Sequence, residues 1–171
     1  TKDAYHIYIS EVMLQQTQVK TVLERFYFPF LEKFPTLEAL AHADVEDVLK
    51  MWQGLGYYSR ARNLHRAAQM VAPNLPNTVE ALEALPGIGK NTAHAIAAFA
   101  YHQPVPVMEA NVKRIVCRFF ALKNPTQNEL WHCAQQLLDR EDPFTHNQAM
   151  MDIGALVCTS KTPYCADCPL S

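Results

Sequence analysis

Glycine is scarce in this sequence, with five in 171 residues. A β-protein with many tight turns needs more of them, so the scarcity disfavours such a fold. No apolar run approaches 18 residues, so we expect no membrane-spanning helix and no membrane partner. No basic and then apolar segment opens the chain, which predicts no secretory signal and a cytoplasmic protein, nucleoid-associated if bacterial. The start at Thr1 rather than Met suggests a piece of a longer chain.

Net charge is also small, at −2, but the charges are unevenly distributed. Residues 50–123 hold nine basic and three acidic side chains, a net of +6. The rest of the chain holds six basic and fourteen acidic side chains, a net of −8. Binding to a polyanion needs a basic face rather than a basic total, so the pattern permits a nucleic-acid partner. Chance segregation of solvated charges explains it equally well.

Helical signals dominate the chain. Asp44 and Thr78 are candidate N-caps, and apolar residues recur at three-to-four spacing. The predicted helical segments are 44–52, 57–71, 78–85, 91–101, 107–121, 126–140 and 145–158. Prolines and glycines mark short connections, and no strand alternation is clear. We predict an all-α protein, in which the PVPV stretch at 104–107 is the one plausible internal boundary.

A glycine-bracketed turn, LPGIGK at residues 85–90, separates two predicted helices. Such a turn exposes main-chain N–H groups at the start of the second helix, where partial positive charge suits a phosphate oxygen. An ordinary helix–helix turn is the alternative interpretation. The longer string, LPGIGKNTA, resembles the helix-hairpin-helix of the base-excision DNA glycosylases.

The five cysteines are an odd number, and three of them lie in the last fourteen residues, at 158, 165 and 168. Thiolates at this spacing can surround one metal centre, with zinc as the generic occupant and unliganded cysteines as the alternative. The spacing resembles the iron–sulfur loop of endonuclease III and its relatives. That resemblance implies a [4Fe–4S] cluster held by Cys158, Cys165 and Cys168, with a fourth cysteine expected at position 174. Cys117 and Cys133 are expected in the core.

Four further segments extend the resemblance. EVMLQQTQV at 11–19, GLGYYSRARNL at 54–64, ANVKR at 110–114 and NQAMMDIGA at 147–155 resemble the adenine DNA glycosylases of the MutY family. The similarity runs from about Tyr5 to the end of the chain. It implies a monomer that binds double-stranded DNA and removes adenine mispaired with guanine or 8-oxoguanine, flipping the base into a pocket. It also implies two all-α lobes, a helix-hairpin-helix barrel lobe over 1–105 and a cluster lobe over 106–171, with an active site between them.

Two carboxylates are the candidate catalytic groups. Glu11 has mostly apolar helical neighbours, and burial there would raise its pKa and keep it protonated, although a Glu at a helix rim is the alternative. The resemblance makes Glu11 the proton donor to adenine. It places Glu109 where the family has the Asp that stabilises the cationic sugar. This departure adds one methylene, which shifts the carboxylate by roughly a bond length. Asn111 corresponds to the Asn that orients that Asp or the base.

The resemblance also assigns residues that contact DNA. Gln16 and Tyr57 match residues that wedge into the base stack, although Tyr57 could instead be a core aromatic residue. The full predicted DNA-binding set is Gln16, Tyr57, Arg60, Leu85, Gly87, Gly89, Lys90 and Lys113. Asn91, expected in the base pocket, stands where endonuclease III keeps its Schiff-base lysine. An amide forms no imine, so we expect a monofunctional glycosylase without a dedicated lyase step.

Three rival functions remain open at this point. A thymine-mismatch glycosylase and a bifunctional endonuclease III-like enzyme share the hairpin and the cysteine loop. Segments 11–19 and 54–58 disfavour the first, and Asn91 disfavours the second. A DNA-binding module without catalysis is the third rival, and Glu109 is the residue that supports it.

Overall fold

A computed structural model describes residues 3–171, and over that range its regular secondary structure is helical, with no β-strand. Its α-helices are α1 (Ala4–Leu14), α2 (Val19–Arg25), α3 (Tyr27–Lys33), α4 (Leu37–His42), α5 (Val45–Met51), α6 (Tyr58–Val71), α7 (Val79–Glu83), α8 (Lys90–Tyr101), α9 (Ala110–Phe119), α10 (Gln127–Leu137) and α11 (Pro143–Asp152). A π-helical turn, Ile153–Val157, and a 3-10 turn, Cys165–Asp167, follow α11. The all-α prediction is confirmed. Within the described residues, no helix is long and apolar enough to cross a bilayer.

Side-chain caps fix several helix starts. The Asp44 carboxylate accepts a hydrogen bond from Glu46 N at 2.9 Å, so the predicted N-cap of α5 is correct. Thr78 caps α7 in the predicted way. Thr126 and Glu129 form a full capping box at the start of α10. The predicted helix over 145–158 is wrong at its end, because α11 stops at Asp152 and the backbone widens into the π-helical turn.

The first compact unit ends at Tyr101. In this unit α1 packs against α8, and α4 and α5 pack against α6. Its core includes the fully buried side chains of Tyr8, Phe30, Trp52 and Leu64. The Phe30 and Trp52 rings meet edge to face with centroids 5.8 Å apart, an arrangement that aromatic pairs favour. This core supports the C-terminal end of α1 and the N-terminal end of α6.

The second unit begins at His102, four residues before the predicted boundary. Here α10 and α11 both pack against α9. The core of this unit consists of Val112, Ile115, Val116, Leu130, Ala134 and Met150, with Cys117 and Cys133 half-buried against it. Asn147, 2% exposed, accepts from Val107 N at 2.9 Å and donates to Val105 O at 3.0 Å. The PVPV stretch is therefore tied into the second unit. The assignment of a barrel lobe and a cluster lobe, with the roles expected of each, stays a prediction.

Candidate functional site

The glycine-bracketed turn joins α7 to α8. Leu85 and Ile88 are 6% and 4% exposed and anchor the turn in the core of the first unit, while Gly87, Gly89 and Lys90 face outward. Because the first N–H groups of a helix have no partner within it, this end of α8 can receive an anion. The predicted hairpin is present, and its glycines and Lys90 have the exposure that contact with DNA requires. Leu85, by contrast, supports the turn from inside.

Gly87 permits a close approach inside the first unit. Its φ is +77°, and a Cβ added there would lie 2.8 Å from the Cβ of Asn63 on α6. On its other side, the Gly87 carbonyl accepts from Gln15 Nε2 at 3.4 Å. The same Gln15 nitrogen donates to Thr92 Oγ1 at 3.2 Å. The turn is thus fixed between α6 and the end of α1. The contribution of Gln15 was not predicted, since it depends on contacts more than seventy residues apart.

Glu11 lies in the third turn of α1 and is half-buried. Its neighbours Tyr8 and Val12 are buried, at 0% and 3% exposure. Burial raises the pKa of the Tyr8 hydroxyl well above its usual value. Glu11 thus has buried residues before and after it in α1, and its carboxyl group keeps partial access to solvent. Apolar surroundings of the carboxyl group stay a prediction. A half-buried carboxyl group on a rigid helix can hold and deliver a proton.

Gln16 and Tyr57 share an unusual backbone. Their φ angles are +57° and +51°, in the left-handed region that favours glycine. Gln16 is exposed, and Tyr57 is 60% exposed, so Tyr57 is not the core residue of the alternative interpretation. Residues held in this conformation cluster at ligand-binding surfaces, because the surrounding structure must compensate for the strain. Both predicted wedge residues thus protrude from constrained turns.

Arg60 does not have the exposure predicted for a DNA contact. Its side chain is 8% exposed, and burial lowers the pKa of its guanidinium. The guanidinium donates to main-chain carbonyls at the end of α1 and just before α6, including Met13 O at 3.0 Å and Gly56 O at 3.2 Å. We interpret Arg60 as a support for these turns. An arginine in the first turn of a helix opposes the helix dipole, a signal in the sequence that could have indicated such a role.

In the second unit, Glu109 is the N-cap residue of α9 and is exposed. Its side chain makes no cap hydrogen bond, while its carbonyl accepts from Lys113 N at 2.8 Å. The carboxylate therefore projects from a helix start on a fixed backbone. Lys113 is exposed one turn along α9.

Asn111 is held by two contacts in the second unit. Its Oδ1 accepts from Arg114 Nη2 at 3.0 Å, and a Cβ added to Gly154 would lie 2.6 Å from the Asn111 Cβ. Arg114 also donates to Gly154 O at 2.6 Å and to Cys158 O at 2.7 Å. Asn111 is thus connected to the π-helical turn that precedes the cysteines. Asn91, the other predicted pocket residue, lies half-buried in the first turn of α8.

The three C-terminal cysteines line one cavity of about 170 Å³. Arg118 lies at its edge and donates to Cys158 Sγ at 3.3 Å and to Thr159 O at 2.7 Å. Among residues 3–171, no set of three His, Cys, Asp or Glu side chains has the spacing of a formed metal site. The donors therefore fit a thiolate-ligated centre in kind, but their number is one short of a four-cysteine cluster.

Residues 9–140 match the HhH-GPD superfamily of base excision DNA repair proteins. This range covers most of the chain. The chain belongs to the HhH-GPD superfamily. Its matched region contains Glu11, the hairpin turn and Glu109, and it ends before the three cysteines.

Several curated relatives of this HhH-GPD chain are named adenine DNA glycosylases. It is 46% identical over 98% of its length to the adenine DNA glycosylases of Mus musculus and Homo sapiens. It is 37% identical over 99% of its length to the adenine DNA glycosylase of Buchnera aphidicola subsp. Baizongia pistaciae. The chain spans 34% of the mouse protein, 32% of the human protein and 50% of the Buchnera protein.

Solved structures agree on the fold. A thermostable thymine-DNA glycosylase superposes with a TM-score of 0.90 at 27% identity, covering 99% of this chain and 82% of that one. An endonuclease III trapped in a covalent DNA intermediate superposes with a TM-score of 0.81 at 22% identity, covering 97% and 79%. The second likeness is evidence for the fold alone. The prediction of this base-excision repair superfamily is confirmed, while the glycosylase activity and the individual site residues stay predictions.

Proposed function

We propose that this HhH-GPD chain is the base-excision core of an adenine DNA glycosylase that acts on adenine opposite 8-oxoguanine or guanine. The observation that carries the proposal is the 46% identity to adenine DNA glycosylases over 98% of the chain. The exposed glycines and Lys90 of the hairpin supply the phosphate-binding surface it needs. The enzyme binds double-stranded DNA as a monomer in the cytoplasm, or in the nucleoid of a bacterium.

Glu11 is the proton donor in this proposal. Its proton passes to the departing adenine, and the electron pair of the glycosidic bond leaves with the base. The sugar carbon is left cationic, and water adds to it, giving free adenine, an abasic site and a released proton. A half-buried carboxyl group suits this role, because desolvation favours its protonated form and access to solvent allows the carboxylate to take up a new proton.

Glu109 stabilises the cationic sugar by its negative charge, with Asn111 assisting in orientation. The exposed position of Glu109 at the start of α9 keeps its carboxylate available for this purpose. Its stem is one methylene longer than that of the Asp in the family pattern, so we expect slower chemistry rather than none. Asn91 carries no amine, and strand cleavage by a lyase step is therefore not part of the proposal.

The test uses duplexes with one labelled adenine opposite 8-oxoguanine. We expect adenine release that leaves the strand intact until alkali cleaves the abasic site. Cleavage without alkali would instead identify a lyase of the endonuclease III type. Tight binding with no release of adenine would indicate a DNA-binding module.

Thymine release is the second candidate, because the thymine-DNA glycosylase matches at a TM-score of 0.90 and 27% identity. A duplex with thymine opposite guanine decides between the two. We expect no thymine release under conditions that release adenine. The reverse result would reassign the substrate while leaving the superfamily unchanged.

We further propose that Cys158, Cys165 and Cys168 supply three ligands of a [4Fe–4S] cluster. The cluster would stabilise the loop that holds them, and no catalytic step is assigned to it. A chain extended past residue 171 to a fourth cysteine is expected to be brown and to contain iron, and Cys165→Ser should remove both properties. Colourless protein with stoichiometric zinc would overturn this proposal.

A further inference from the structure

Two turns of the first unit meet at one side chain. The Gln16 segment is defined as residues 12–17, and the Tyr57 segment as residues 52–57. They flank the end of α1 and the start of α6 and contain Gln16 and Tyr57, which are exposed and have left-handed backbone. Arg60, in the first turn of α6, hydrogen-bonds to both segments.

The two terminal nitrogens of the Arg60 guanidinium have different sets of acceptors. Nη1 donates to carbonyls of the Gln16 segment alone, at Val12, Met13 and Gln15. Nη2 donates to Thr17 Oγ1 at 3.2 Å and crosses to the Tyr57 segment, at Leu55 and Gly56. A planar fork carries four N–H groups on two terminal nitrogens, whereas a lysine ammonium has three on one nitrogen and can keep only part of these contacts. The cation also lies at the C-terminal end of α1, where positive charge is favourable.

Aromatic rings complete the surroundings of Arg60. Its guanidinium carbon lies 5.3 Å from the centroid of the Tyr57 ring and 5.6 Å from that of Trp52. Trp52 Nε1 donates to the Gly56 carbonyl at 3.1 Å, which closes the Tyr57 segment on itself. Arg60 therefore contacts the backbone of one segment and both the backbone and the wedge ring of the other.

The left-handed backbone of Gln16 and Tyr57 needs such a support. Neither residue is a glycine, so each conformation persists only where the surrounding structure imposes it. The carbonyl before Gln16, on Gln15, and the carbonyl before Tyr57, on Gly56, both accept from Arg60. The buried Arg60 guanidinium thus fixes both the peptide bond before Gln16 and the peptide bond before Tyr57.

We propose that Arg60 is a positioning residue that makes Gln16 and Tyr57 act as one wedge. It holds both residues in their protruding conformations and in register with each other, so that they enter the base stack together. This inference rests on the proposed function, because it assigns the two side chains to a flipping step. Arg60 itself touches no nucleotide.

The first test needs no DNA. Arg60→Lys keeps the charge but offers fewer donors from a single nitrogen, so contacts to both segments are lost and amide hydrogen exchange should rise roughly tenfold in the Gln16 and Tyr57 segments together. Arg66→Lys makes the same chemical change at an exposed position of α6 and should leave both segments unchanged. Faster exchange in one segment only, or in neither, would overturn the coupling.

The second test measures base unstacking. A duplex carrying 2-aminopurine beside the mispair should fluoresce on binding of the wild-type chain, and Arg60→Lys should reduce that signal severalfold. The salt dependence of affinity should stay the same, because the charge is kept and makes no phosphate contact. A lower melting temperature with full unstacking would reduce Arg60 to a merely structural residue and overturn the inference.

Excision measured on the same samples separates the two hypotheses. If the wild-type chain neither unstacks the duplex nor releases adenine, the proposed function fails. If the wild-type chain unstacks the duplex and releases adenine, and Arg60→Lys does so equally well, the proposed function stands and only the positioning role of Arg60 fails.

A milder variant covers the case in which Arg60→Lys does not fold. Thr17→Ala removes one acceptor of Arg60 and leaves the cation in place. We expect exchange in the Gln16 segment to rise roughly twofold to threefold and unstacking to fall by a similar factor, at an unchanged melting temperature. Unaltered exchange and unstacking in Thr17→Ala would count against the proposal.

Discussion

Arg60 in the first unit and Arg114 in the second both bind main-chain carbonyls beside a helix end. Arg60 is buried between two aromatic rings. Arg114 is half-buried, and its neighbour Arg118 is exposed beside a cysteine thiol. The first arginine fixes a surface whose parts all lie within the unit. The second arginine and its neighbour fix a loop whose three thiolates are one fewer than a four-cysteine cluster takes.

The two carboxylates extend this comparison, since Glu11 is half-buried within α1 and Glu109 is exposed at the start of α9. Glu11→Gln keeps the size but removes the transferable proton. We expect single-turnover adenine release to fall by about 10²- to 10⁴-fold with DNA affinity retained.

Glu109→Gln should lower the rate of adenine release by less, about tenfold, because the charge of Glu109 already acts from a displaced position. Equal losses, measured by rapid quench, would contradict this difference.

A shorter side chain at position 109 tests the same difference between Glu11 and Glu109. Glu109→Asp restores the stem length of the family pattern, and the single-turnover rate should rise by about tenfold or more, because reacting groups are sensitive to placement on this scale. Affinity for the mispair should change little. Glu24→Asp, an exposed change in the first unit, serves as the control. A rate that stays the same or falls would show that the family geometry does not apply to this position.

Gly87 and Gly154 each approach the Cβ of an asparagine, but only Gly87 has a positive φ. Gly87→Ala should lower the free energy of unfolding by about 3 kcal/mol, combining backbone strain with the contact to Asn63. Gly154→Ala should cost about 1 to 2 kcal/mol, because the contact with Asn111 is partly offset by the helical preference of alanine. Urea unfolding of both variants measures the difference. The reverse order would mean that the backbone around Gly87 relaxes more easily than its φ implies.

The smallest expected effect concerns the exposed lysines, Lys90 of the hairpin and Lys113 of α9. Each change to Gln should reduce the slope of log affinity against log salt by about one. Lys20→Gln removes an exposed charge that pairs with Glu24 and should leave the slope unchanged. If only Lys90→Gln has an effect, the predicted DNA contact of Lys113 is wrong.

Local patterns in the sequence predicted the all-α fold and the hairpin turn. These features depend on neighbours within a few residues, which periodicity, caps and glycines encode. Arg60 was interpreted as a DNA contact because charge in a sequence does not show whether a side chain is buried. The left-handed backbone of Gln16 and Tyr57 was not predictable, since neither residue favours it and long-range contacts impose it.

The π-helical turn at Ile153–Val157 has a consequence for insertions and deletions in this segment. Cys158 N donates to Ile153 O at 2.7 Å, five residues back, so the turn contains one residue more than an α-helical turn. Deleting one residue between them would leave the same two groups at α-helical spacing, and α11 would run directly into Cys158. The residues after the deletion would then be rotated by about 100° about the helix axis, and the Cys158 carbonyl would move away from Arg114 Nε. The length of this segment, more than its composition, therefore decides whether the cysteine loop keeps its hydrogen bonds to Arg114 of α9.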